Sequence, residues 1–452
     1  KTHNKRYNER LRMPQFPFTA EQREAVITFV LGLVAEPPRE KYLYKPSAKD
    51  AALIAGKKVL EKYNCGGCHV LETEKWKISY SPGDFGKQGT NATYPFLSPH
   101  FSPTDLSAQA KPDGRNELHS VLSGMPAYSP DGLPRIVDEA DDSAVTNEDA
   151  YDPKAIKIGL DLYRPSIIDG GSYMTGQNPL SIPNRVIDER YPATGGVLAR
   201  YLIPRVTQYE KQFNPNASGA EAFGWVPPPL VGEGAKVNPN WLHEFLLQPY
   251  PIRPAVFLRM PKFNMTSGEA TDLVNYFSAR DNAKYPYELT ESRQDTQLVR
   301  KEQEYRNAAP AAEVAPGRSL RFDDAMRIVT NSNYCVKCHA VADFVPQGNA
   351  RALAPNLGEV YRRLRPEYTR DWIANPKTIL PYTSMPVNIP YDASAPHHGG
   401  ISQDLFRGSA EEQLDGLVDL LTNFDLYAKS NTNVKSLVPP SPGAAANPKE
   451  EK

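Results

Sequence analysis

The 452 residues contain four cysteines, and these fall in two identically spaced sets, Cys65-Gly66-Gly67-Cys68-His69 and Cys335-Val336-Lys337-Cys338-His339. A C-x-x-C-H run reads as attachment of a c-type haem, in which both thiols become thioethers to the porphyrin and the adjacent histidine supplies the proximal iron ligand. Two other chemistries use cysteine pairs: four thiolates can hold a structural zinc, and a C-x-x-C pair can cycle between dithiol and disulfide. Neither needs a histidine directly after the second cysteine, and here that histidine occurs twice. The expectation is two covalently bound haem c groups carried by Cys65, Cys68, Cys335 and Cys338, with His69 and His339 on iron. Thioether attachment takes place outside the cytoplasm, so the expected location is the periplasm or another extracytoplasmic compartment. No signal peptide or initiating Met stands at Lys1, and the chain reads as a processed or truncated polypeptide.

A thioether opposite the histidine gives iron a raised potential, suited to carrying one electron. Of the seven methionines, Met260 and Met385 each precede a proline on a loop just ahead of an amphipathic segment, and these two are the expected second ligands. Met125-Pro126 leads instead into the acidic stretch from Asp138 to Asp152. Met265 competes with Met260. However, Leu258-Arg259-Met260-Pro261-Lys262-Phe263 repeats Leu11-Arg12-Met13-Pro14-Gln15-Phe16, and that earlier copy has no methionine matching Met265.

These groups must be positioned by helices. Before Cys65, Ser47 caps a segment in which Ala52, Leu53, Val59 and Leu60 recur at helical spacing. Gly56 weakens that helix, so it predicts close approach of a second one, with Thr266 to Phe277 as the candidate. Ser319 to Val329 and Ser409 to Phe424 form the matching pair around Cys335.

This order resembles class I c-type cytochromes, and the resemblance covers about two thirds of the chain. It implies that Pro228 and Pro355 belong to the loop whose proline carbonyl accepts from the other ring nitrogen of the haem histidine. Phe245-Leu246-Leu247-Gln248-Pro249 resembles Trp372-Ile373-Ala374-Asn375-Pro376 as the middle helix. The implied fold is mainly α: tandem class I cytochrome c domains, the first carrying a large irregular insertion with short strands. Residues 1–44 are the closing part of a preceding domain. Domain 1 is 45–285 with the insertion at about 75–220, 286–315 is a linker, domain 2 is 316–428, and 429–452 is a disordered tail. Val197 to Ile203 reads as one of the short alternating pieces, and the whole insertion as a docking or shielding element.

Net charge is −1, which excludes a bulk nucleic-acid binder, and the longest strongly apolar run, Ala25 to Ala35, falls short of the roughly 20 residues of a membrane span. Arg362, Arg363, Arg365 and Arg370 flank the Pro355 loop, where an arginine can pair with haem carboxylates. The expected function is electron transfer rather than catalysis, as a subunit or fragment of a larger multihaem complex whose partners are other cytochrome or respiratory-complex subunits. The alternative is a dihaem enzyme of the cytochrome c peroxidase type. Met13, in the earlier copy of the repeat, is expected to face a third haem supplied by another segment or chain.

Overall fold

The computed structural model describes residues 16–33, 39–85, 93–109, 111–145, 152, 155–217, 219–256, 258–283, 290–309, 319–347, 352–396, 400–430 and 433–439. The chain divides into two compact units, 1–51 and 52–452. In the first, α1 (Ala20–Leu31) starts in a capping box, Thr19 accepting from the Gln22 backbone while the Gln22 side chain accepts from that of Thr19. Its apolar side chains are exposed, Phe29 at 68% and Leu31 at 64%. Met13 lies outside the described residues.

The helix α2 (Ala48–Lys62) runs across the boundary at 51/52 and delivers the chain to Cys65 in the second unit. Beyond His69 come β1 (Val70–Glu72) and β2 (Glu74–Tyr80), then α3 (Pro103–Gln109), β3 (Leu118–Pro126), β4 (Ile136–Asp138) and β5 (Ile156–Leu162). A small hairpin of β6 (Ser166–Ile168) and β7 (Gly171–Tyr173) precedes β8 (Leu180–Pro183), β9 (Ile187–Tyr191) and β10 (Thr194–Gly195). Six of these strands make one antiparallel sheet in the order β4, β5, β3, β2, β9, with β8 also on β5. The sheet forms because inward residues alternate with polar ones. On β2, Trp76, Ile78 and Tyr80 are buried while Lys75 and Lys77 are exposed. They close a separate core with Leu122, Leu160 and Ile182.

The mainly-α expectation is therefore corrected: the chain is 43% helical and 15% strand, with a curled six-stranded half-barrel that tandem class I cytochrome domains do not have. The region expected to be irregular is an ordered sheet with its own apolar interior. A second correction concerns Val197 to Ile203. Its alternation suggested a strand, but it opens α4 (Val197–Glu210), where Ala199, Ile203 and Thr207 bury one face at helical spacing.

After α5 (Gly219–Phe223), the chain rejoins the helical core through α6 (Glu233–Lys236), α7 (Pro239–Leu247) and α8 (Ser267–Arg280). An added Cβ on Gly56 would stand 2.1 Å from Tyr276 Cβ, so α2 and α8 cross where the glycine predicts. The segment 286–315 holds α9 (Asp295–Asn307), and the second motif lies among α10 (Leu320–Thr330), α11 (Val360–Arg363), α12 (Pro366–Ala374), α13 (Ala410–Thr422) and α14 (Phe424–Ser430). Both halves share one apolar core, in which Leu246 and Leu273 belong with Ile373 and Leu417.

Candidate functional site

Each C-x-x-C-H run forms a single tight turn, Cys65–Gly67 and Cys335–Lys337, closed by a bond from the histidine N–H to the first cysteine carbonyl at 2.9 Å in both. His69 Nδ1 lies 2.7 Å from the Pro228 carbonyl, and His339 Nδ1 lies 2.7 Å from that of Pro355. A carbonyl only accepts, so Nδ1 carries the proton in each ring and the neutral imidazole keeps its Nε2 lone pair for a metal. Burial lowers the pKa of both histidines, which favours that neutral form.

The framing is also the same. Leu230 N–H donates to the Val70 carbonyl at 2.9 Å, and Leu357 N–H to that of Ala340 at 2.8 Å. The first loop thus returns after 159 residues to the place the second reaches after 16. The sheet region is the detour between, and it bears directly on the first turn. Gly196 N–H donates to the Gly66 carbonyl at 2.8 Å, β10 pairs with β1 through Gly195 and Val70, and a Cβ on Gly195 would stand 2.4 Å from the His69 carbonyl.

Trp372, on α12, donates from Nε1 to the Met385 sulfur at 2.9 Å. Met260 is half-buried at the edge of the shared core, whereas Met265 is inside it at 7% exposure. Met125 is 2% exposed on β3, in a separate cluster with Val70 and Ala193, and serves as packing there.

The donor set bears on the other chemistries that cysteine pairs support. Among the described residues no group of three or more Cys, His, Asp or Glu side chains converges, so the four thiols do not assemble a zinc site. Burial raises the Cys65 thiol and pushes that of Cys335 up to about 12, the reverse of the depressed thiolates of redox pairs. Uncharged sulfur suits these surroundings, and a thioether is uncharged. The four arginines separate as well. Arg362 reaches Glu359 at 2.8 Å and Tyr250 at 3.0 Å, Arg365 donates to the Val237 carbonyl, and Arg370 reaches Asp371. The Arg363 Nε is buried without a partner among the described residues, and burial lowers its pKa. A buried guanidinium lacking an acceptor calls for an anion, and a porphyrin carboxylate beside His339 fits it.

No family model, curated protein or solved structure matches the chain. Among the described residues no helix is long and apolar enough to cross a membrane.

Composition and local spacing did not disclose Arg253, Asp161 or Tyr163. Burial lowers the pKa of Arg253, whose guanidinium donates to the Gly224 carbonyl at 2.7 Å and to that of Val226 at 3.1 Å. The paired glycines at 195 and 196 were the available sign that another backbone approaches closely.

Proposed function

We propose that the chain is an extracytoplasmic electron-transfer protein carrying two covalent haem c groups, one on Cys65 and Cys68 with His69, the other on Cys335 and Cys338 with His339. Met260 and Met385 would supply the second protein ligand to each iron in this reading, and redox proteins of a larger complex would be the partners. The observation that carries it is the duplicated bond from a motif histidine to a proline carbonyl, 2.7 Å in both halves although the intervening chain lengths differ tenfold.

Haem, when bound, supplies a one-electron ferric–ferrous couple. The chain's own groups would do the rest. The Pro228 and Pro355 carbonyls fix the imidazole planes, and Arg363 neutralises a carboxylate. The shared apolar core would limit water around a bound haem, which would favour electron exchange over ligand chemistry. A third haem facing Met13, from another segment or chain, belongs to the same proposal and is supported by the exposed apolar face of α1.

Intact mass of the mature protein tests the assignment, with an increment of two haems expected. A chain carrying fewer overturns it. Fully low-spin ferric spectra support the carrier, whereas a persistent high-spin haem supports a dihaem enzyme of the cytochrome c peroxidase type.

A further inference from the structure

Val70 follows His69 directly and is fully buried, packed in one cluster with Met125, Ala193 and Tyr163. The outer face of the β3–β5 pair therefore carries a side chain, Met125, packed with the residue that follows His69. Asp161 stands directly across from Met125 in the register of those strands, and cross-strand partners project to the same face. Its carboxyl is thus directed toward the segment that begins at His69.

Two phenols, Tyr128 and Tyr163, interact with it, and a third follows. Tyr163 follows two residues along the chain, and Tyr128 lies just past the end of β3. Tyr382, on the loop leading to Met385, packs on Phe223 at 4.4 Å, and Phe223 also meets Tyr128 at 5.8 Å. Tyr163 is electrostatically coupled to Asp161, Tyr128 and Tyr382. The cations are Arg135, acting on Asp161, Arg200, acting on Tyr128, and Arg253, acting on both Tyr382 and His69. Glu74 is the other carboxylate in reach, and it is tied to Arg190 at 3.0 Å. The Asp161 carboxyl and the hydroxyls of Tyr128, Tyr163 and Tyr382 make no hydrogen bond to another described residue. These residues are half-buried, and half-buried polar groups without protein partners face water or a ligand.

We propose that Asp161, beside the phenols of Tyr128 and Tyr163, takes up one proton when the centre at His69 takes up one electron. The electron comes from an external one-electron donor protein and the proton from water, and oxidation returns both. The inference rests on the proposed haem at His69. Its cause is electrostatic: an added electron at a partly desolvated site raises the proton affinity of a nearby carboxylate, and the coupling is reciprocal. Burial already lifts the Asp161 carboxyl to about 6, which places its proton exchange near neutrality.

Redox titration of the holoprotein at a series of pH values, with the two centres separated by their spectra, tests the proposal. One centre is expected to hold a constant potential below about pH 6, where Asp161 is protonated in both redox states. Above that its potential should fall toward about 59 mV per pH unit, the one-electron equivalent of a tenfold change. Asp161→Asn should hold that centre at its low-pH value throughout and leave the other centre unchanged. Tyr163→Phe, which removes only a hydroxyl, should move the pH at which the fall begins, and serves where the Asn variant does not fold. A protein bearing both haems with neither potential sensitive to pH between about 5 and 8 overturns the inference and leaves the haem assignment standing. So does a slope that survives Asp161→Asn. Fewer than two haems overturns the assignment itself.

Discussion

Val237 and Leu364 face each other across an antiparallel bridge, and each stands nine positions after the proline that holds the histidine ring of its own half. The flanking bonds are reciprocal: Asn238 N–H donates to the Arg363 carbonyl at 2.9 Å, and Arg365 N–H to that of Lys236 at 3.0 Å. Pro228 and Pro355, Val237 and Leu364, and Phe245 and Trp372 are each 127 positions apart, so the seam joins equivalent residues about a local two-fold. The stacked pairs repeat too, Trp241 on Phe245 at 4.9 Å and Tyr368 on Trp372 at 5.9 Å. The segments that follow the two histidine-orienting prolines are thus joined directly to each other.

Asn238 secures that seam beyond the backbone, its Nδ2 donating to the carbonyls of Arg362 at 2.9 Å and Leu364 at 3.2 Å. Asn238→Ala leaves those acceptors without it and is expected to cost about 1–3 kcal/mol. Denaturant unfolding of the haem-loaded protein measures the loss, and haem content should not change.

Gly195→Ala is expected to damage the first centre and spare the second. The position has φ +82, and the new Cβ would meet the His69 carbonyl at 2.4 Å and that of Gly66 at 3.0 Å. Gly170→Ala is the control, with φ +72 and nothing within 4 Å of the added methyl. Its cost is the backbone term alone, about 1–2 kcal/mol. The Gly195 variant should lose more, and the spectrum of one centre only should change.

How far the chain could be read in advance depended on the distance over which each signal acts. The cysteine turns, the capping residues and Gly56 are local, and the helices they announce are where the sequence places them. The sheet rests on pairings such as Lys77 with Glu189, 112 residues apart, which alternation within either strand cannot disclose. Short periodicity also misleads, since Val197 to Ile203 alternates and yet buries Ala199 and Ile203 as a helix. The four arginines near Pro355 look alike in sequence, and only their tertiary partners single out Arg363. Asp161 carries no local mark, because its significance comes from the side of the sheet that meets Val70.

The second-ligand assignments separate by spin state. Met385→Ala and Met260→Ala should each turn a different haem high-spin and lower its potential, because the thioether is what favours ferrous iron. Trp372→Phe tests the support of one ligand alone. It keeps an aromatic ring on Tyr368 but removes the N–H that reaches the Met385 sulfur. The sulfur then donates more strongly to iron, and the potential of the second centre should fall. Phe245 is the equivalent residue in the first half and has no such donor, so the first centre should not move. A shift in both centres would contradict the pairing.

The last expectation concerns acid. Glu269 joins α8 to the residues leading into the first cysteine turn, pairing with Lys62 and accepting from the Tyr63 hydroxyl at 3.0 Å. The Lys62 ammonium and the Thr266 N–H hold its carboxyl at about 2, below its ordinary 4.5. A carboxylate depressed in the folded state stabilises it above the unfolded value and ceases to do so as pH falls through the folded one. Glu269→Gln should therefore melt below the parent protein at pH 6, and the difference should shrink from about pH 4.5 and vanish near pH 2. The Lys62 end of the pair is open to solvent, so the gap is expected to be small and to narrow with added salt. Thermal melts of both proteins at the two pH values decide it, and a gap that persists at pH 2 would assign the role to packing instead of charge.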